Sequence, residues 1–161
     1  LILLLIKGVL ELKIWIDADA CPRDVKDLAF RASRRLKIDL VLVADRPLAR
    51  PSSPWISMVV VPRDMDSADK HIVDQVAPGD LVITADLPLA AAVVERGATA
   101  LNPRGELYTE QNVGERLSMR DFLMSLRDSG QDLGGPPPFS YKDKQRFAEA
   151  LDRFLTKRSG D

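Results

Sequence analysis

Two aspartates one residue apart, Asp17 and Asp19 in KIWIDADACPRD, close an apolar run of the kind that forms a buried strand. Like charges held that close repel unless a cation neutralises them or one takes up a proton. A metal ion, a catalytic carboxylate pair and helix capping are the three explanations. Capping suits Asp66 ahead of SADKHIV and Asp86 ahead of LPLAAAVV, where an aspartate side chain can accept a free helical N–H. It suits Asp17 poorly, because Asp17 ends a strand before any helix begins. More acids follow later apolar runs: Asp45, then Asp64, Asp66 and Asp69, then Asp86. Ligands in open parallel sheets bind outside the carboxyl ends of the strands, so these acids converge on one edge. Hard oxygen donors in a chain with a single histidine suit Mg²⁺ or Mn²⁺ and not zinc. Such an ion activates a water and steadies a leaving oxygen in phosphodiester hydrolysis. Arg46, Arg50, Arg63, Lys70, Asn102 and Arg104 fall on the same rim, where they can contact substrate phosphates.

Other reactive side chains lead elsewhere. Cys21 lies near a helix start, where a thiol pKa can fall, but nothing pairs it with His71, the sole histidine, so a packed or capping thiol is expected. His71 is expected at the surface or behind the site. Trp55 follows RPSSP and can stack on a base, although its place between prolines and a strand suits packing better.

The elements that must position these residues alternate. LKIWIDA reads as a first strand. Pro22 opens an amphipathic helix to about Lys37, with Val25, Leu28, Ala29, Ala32 and Leu36 on one face. IDLVLVAD and WISMVVVP read as strands around a Pro/Ser-rich loop over 46–54. DSADKHIVDQVA reads as a helix, DLVITAD as a strand, LPLAAAVVERG as a helix closed by Gly97, and ATALNPRG as a short strand and turn. A further helix is expected over about 109–126. SGQDLGGPPP excludes helix and central strand, and SYKDKQRFAEALDRFLTK forms a last amphipathic helix. Strands alternating with helices predict an α/β three-layer sandwich around a mainly parallel sheet.

The chain has 161 residues and one cysteine, enough for one cored domain and too few thiols for an internal disulfide. A reducing cytoplasm is the compartment this suits. A formal net charge of −1 argues against a dedicated high-affinity DNA binder but not against an enzyme touching a few phosphates. The opening LILLLIKGVLE is too short to span a bilayer and lacks the basic start of a signal peptide. Residues 1–12 are therefore read as an extension that packs on the surface or on a second copy, giving a homo-oligomer contact. Residues 13–128 form the domain. Residues 129–161 form a Gly/Pro-rich arm and a helix strapped to that domain, with Phe139 tucked in.

IDADACP, ADK.IV (68–73), LVITADLPLAAAVVERGATALNPRG and GGPPPFSYKDKQRFAEALDRFL together resemble the YaiI/YqxD family of small bacterial proteins. The likeness runs from Lys13 to Lys157. That family is placed in the PIN-like nuclease superfamily, so the resemblance implies a PIN-like fold and a metal-dependent nuclease acting on RNA. It implies metal-site roles for Asp17, Asp19, Asp69 and Asp86, with Asp66 in reserve. The pattern departs at the early helix, where Asp24 or Asp27 is only a loose equivalent of the carboxylate many PIN enzymes carry. Two rivals stand beside this reading. A non-catalytic module would keep the acidic pocket for a metal or a partner and show metal-dependent stabilisation without turnover. A haloacid-dehalogenase-like phosphatase would use DAD as nucleophile and general acid/base, but its Gly-Asp should follow a strand, and Gly79-Asp80 precedes one.

Overall fold

A computed structural model describes residues 11–158, so the apolar N-terminal run lies outside the described residues apart from Glu11 and Leu12. Six strands form one sheet: β1 (Ile14–Asp17), β2 (Leu40–Ala44), β3 (Ile56–Val60), β4 (Leu81–Ile83), β5 (Thr99–Leu101) and β6 (Leu107–Tyr108). Five helices accompany them: α1 (Arg23–Leu36), α2 (Ser67–Gln75), α3 (Leu87–Glu95), α4 (Val113–Asp128) and α5 (Tyr141–Arg158). The strand order is β3-β2-β1-β4-β5-β6, all parallel except the β5–β6 pair. This is the three-layer α/β sandwich that the alternating pattern predicts.

The strands sort their side chains by parity, because successive residues of a strand face opposite ways. Ile14, Ile16, Leu40, Leu42, Leu81 and Ile83 meet Val25, Ala29 and Phe30 of α1 and Phe147, Leu151 and Leu155 of α5. Trp15, Val41, Val43, Val82 and Ala100 meet Ile72 of α2 and Leu89, Ala90, Val93 and Val94 of α3 on the other face. Apolar side chains on both faces explain why these strands read as continuous hydrophobic runs. α4 lies against α3 at the outside and buries none of its residues.

Local chemistry sets the ends of the elements. Pro22, with φ −58°, precedes α1 where its missing N–H costs nothing. Lys37 closes α1 in the left-handed region (φ 57°), its N–H bonding back to the Ser33 carbonyl. Gly97 (φ +92°) follows α3 as expected, and a Cβ there would meet Pro78 at 3.1 Å. The parallel β2–β3 pair is joined without a helix, through a loop carrying Pro47, Pro51 and Pro54. Two features escape the hydrophobic pattern. β6 is two residues long and pairs back on β5 through a turn held by the Asn102 side chain. α4 begins at Val113 and not near Thr109, because Asn112 bonds the Thr109 N–H and the Leu107 carbonyl and keeps that stretch as a turn.

Candidate active site at the carboxyl edge of the sheet

The chain leaves β1 in one direction toward β2 and β3 and returns on the other side through β4, β5 and β6. The switch point therefore lies between β1 and β4, the place where open α/β sheets bind ligands. Ile16 pairs with Ile83 there, so the next residues, Asp17 and Thr84, stand side by side. The Thr84 hydroxyl donates to Asp17 Oδ2 at 2.9 Å and accepts the Asp86 N–H at 3.0 Å. One buried side chain thus fixes the Asp17 carboxylate and the start of the Asp86 loop. Asp86 caps α3, its Oδ1 accepting the Leu89 N–H at 3.0 Å. Asp19 reaches across to β2, its Oδ2 accepting the Asp45 N–H at 3.3 Å.

Electrostatics shows which of these acids share a field. Burial pushes the Asp17 carboxyl above the ordinary value; the Thr84 hydrogen bond opposes this, and the charges of Asp86 and Asp19 add to it. Asp69, in the first turn of α2, is pushed up to about 6, first by burial and then by Asp86, Asp17 and Asp66. Asp17, Asp69 and Asp86 therefore share one field, with Asp19 acting on Asp17 and Asp66 on Asp69. Asp66 precedes α2 but makes no capping bond. That role falls to Asp64, whose carboxylate accepts the Ser67 hydroxyl and the Asp66 and Ser67 N–H groups, holding its pKa down. Among the described residues, no three histidine, cysteine, aspartate or glutamate side chains are grouped tightly enough to hold a metal ion as they stand. The donors are chemically suited to a hard divalent cation, but their cage is not preassembled.

The rim cations divide. Lys70 is exposed beside Asp69 on α2. Arg46 and Arg63 pair with Asp45 at 3.4 and 3.6 Å, and Arg50 points at the Met58 sulfur. Asn102 uses its Oδ1 on the Arg104 and Glu106 N–H groups and its Nδ2 on the Tyr108 hydroxyl. Arg104 donates to Asp143 at 3.0 Å and to the Pro137 carbonyl at 2.6 Å, which ties the Pro-rich arm and α5 to the β5 turn. Both residues thus have structural partners at the position where phosphate contacts are expected. Asp24 turns toward Lys144 of α5 at 3.9 Å. Cys21 is a packed thiol, pushed up to about 12 by burial.

The other end of the sheet holds the remaining candidates. Asp80 lies ahead of β4, where its carboxylate accepts the Lys13 and Ala77 N–H groups and the Trp15 indole N–H at 2.9–3.0 Å. It is a buried structural clamp far from Asp17, which removes the Gly-Asp element that a phosphatase reading needs. His71 is half-buried, its ring centroid 6.1 Å from that of Trp15 with the planes at 63°. Trp55 sits just ahead of β3 at the same end, half-buried on the wall of a cavity of about 740 Å³ that Trp15 and Leu155 also line. The contributor that sequence reasoning missed is Thr84. Its only signal is its place two residues before Asp86 in VITAD.

A family model described as "Uncharacterized BCR, YaiI/YqxD family" matches residues 15–157. A UPF0178 protein of Geobacter metallireducens is 58% identical over 146 residues, covering 91% of this chain and 94% of the relative. One from Hahella chejuensis is 53% identical over 148 residues, 92% and 99% of the two chains. One from Shewanella baltica is 54% identical over 147 residues, 91% and 98%. Both the strand-end aspartates and the arm that Arg104 fastens lie inside the matched span, and the chain belongs to the YaiI/YqxD family.

Proposed function

We propose that the protein is a divalent-metal-dependent nuclease that hydrolyses RNA phosphodiester bonds, in the manner of the PIN-like superfamily its motifs resemble. The observation that carries the reading is that Asp17, Asp69 and Asp86 share one field at the switch point, where burial first, and then the charges of Asp86 and Asp17, push Asp69 up to about 6. Carboxylates that repel one another at a shared edge are stabilised together by a cation, and structural capping explains only Asp86 among them. Asp17, Asp19, Asp69 and Asp86 would hold Mg²⁺ or Mn²⁺, with Asp66 in reserve. When bound, the ion neutralises the phosphodiester charge and lowers the pKa of an attacking water. The chain's own residues do the rest. Thr84 holds Asp17 in one orientation, and Asp19 anchors the loop after β2 so that Arg46 and Arg63 stay near the edge. Lys70, Arg46 and Arg63 are exposed rim cations within reach of a substrate phosphate.

The test is cleavage of mixed single- and double-stranded RNA with Mn²⁺ or Mg²⁺, comparing wild type with Asp17→Asn. The reading expects metal-dependent cleavage that falls at least 100-fold in the variant. Cleavage that survives in Asp17→Asn contradicts the site. A wild type stabilised by the metal without any turnover favours the binding-module alternative.

A further inference from the structure

The net charge of −1 hides a strong segregation. The α1 and α5 layer, residues 23–37 and 141–157, carries eleven Lys and Arg side chains against five Asp and Glu. The acids of the carboxyl edge lie outside these two helices. The basic layer has a shape. α1 and α5 run side by side from the carboxyl edge, as the Asp24–Lys144 and Arg35–Asp152 ion pairs at 3.9 and 3.6 Å show. Along the lower half of α1, Arg31, Arg34 and Arg35 recur at helical spacing and Lys37 follows; Arg153 and Lys157 recur four residues apart on α5. All six are exposed, and among the described residues only Arg35 has an ion-pair partner, itself exposed.

A depression of about 480 Å³ lies between the helices, and a second of about 470 Å³ adjoins it on α5 alone. Ala32 and Ala148 line the first with small apolar groups, while Glu149 and Asp152 border both. The six cations outnumber those two acids.

We infer that the α1/α5 groove is an RNA-docking strip, which rests on the reading of the substrate as RNA. An anionic pocket repels a polyanion, so the affinity must come from elsewhere on the surface. α1 starts at the carboxyl edge with Arg23 and Lys26 and carries Arg31, Arg34 and Arg35 in its far half; its 14 residues cover about 20 Å, the phosphates of about six stacked nucleotides. A membrane-docking face would mix large apolar side chains among its cations. Among the described residues the two helices expose only Leu36 (37%) and Tyr141 (71%, at the start of α5) as large apolar side chains, and neither lines the groove.

The experiment is fluorescence anisotropy of a 5′-fluorescein 20-nucleotide oligouridine, with chelator present and KCl varied from about 50 to 200 mM, the span over which counterion release is read. Arg31→Gln/Arg34→Gln/Arg153→Gln/Lys157→Gln is compared with Arg96→Gln/Arg116→Gln/Arg120→Gln/Arg127→Gln, which removes equal charge elsewhere. Circular dichroism checks that both variants fold. The strip predicts at least tenfold weaker binding in the first variant, a salt slope shallower by roughly 0.7 for each phosphate left without its cation, and less than twofold change in the second. Equal weakening in both, or no wild-type binding at the lowest salt, overturns it. So does retention on phosphatidylglycerol vesicles without RNA binding. Strip-dependent binding with no cleavage in Mn²⁺ contradicts the nuclease and supports the strip. Cleavage and binding unaffected in the first variant contradict the strip and leave the nuclease standing.

Discussion

Asp69 is the residue whose protonation should be visible without any assay of function. Its carboxyl is pushed up to about 6 in the folded chain from an ordinary 3.8. The folded state then holds a proton that the unfolded chain releases between pH 4 and 6, so this group makes stability fall as pH rises through that window. The penalty is absent below pH 4 and complete above about pH 7. Asp69 is only partly buried, so solvent screening holds its size to about 1 kcal/mol. Asp69→Asn should therefore be more stable than wild type at pH 7.5 and equal to it at pH 4, by urea melts in chelator. A difference that does not change with pH contradicts the shared field of Asp17, Asp69 and Asp86. At this scale much of the site was legible. A carboxylate ending a buried strand has few bland explanations, so Asp17 stood out. Thr84 did not, because a threonine in an apolar run reads as an ordinary strand former. Only the β1–β4 register reveals that it faces Asp17.

Elements carry the next layer of the account. The turn after β5 docks directly on α5. Gly105 has φ +90°, and a Cβ there would lie 2.6 Å from the Arg146 carbonyl carbon, a backbone atom that cannot move alone. Gly105→Ala should destabilise by about 2–4 kcal/mol through strain and overpacking. Hydrogen exchange should show 131–158 opening more readily while β1 and β2 keep their protection. Unchanged exchange in α5 contradicts the docking. Arg104 belongs to this junction. Its sequence position, just past a strand in a Gly-containing turn, suits a phosphate contact, but Asp143 and the Pro137 carbonyl already occupy its guanidinium. A partner 39 residues away cannot be seen in local spacing. β6 was illegible for a related reason. Two residues hold too little pattern for a strand, and the pairing depends on side-chain bonds from Asn102. The long strands and α1, α3 and α5 were legible because each buries a continuous apolar face.

For the whole molecule, the parallel alternation specified three layers but left the strand order open. The order β3-β2-β1-β4-β5-β6 matters because it puts Asp17 at the centre of the sheet, beside the loops that carry Asp45 and Asp86. Net charge gave the least guidance, since it sums a basic helical layer and an acidic edge to nearly zero. Among the described residues, no helix is long and apolar enough to cross a membrane. The central claim is that the acidic edge is a cation site, and titration calorimetry with Mn²⁺ at pH 7.5 tests it most directly. The account predicts saturable binding to wild type that weakens at least tenfold in Asp17→Asn and in Asp86→Asn, with both variants folded. Wild type that binds no Mn²⁺, or variants that bind it as wild type does, would contradict it.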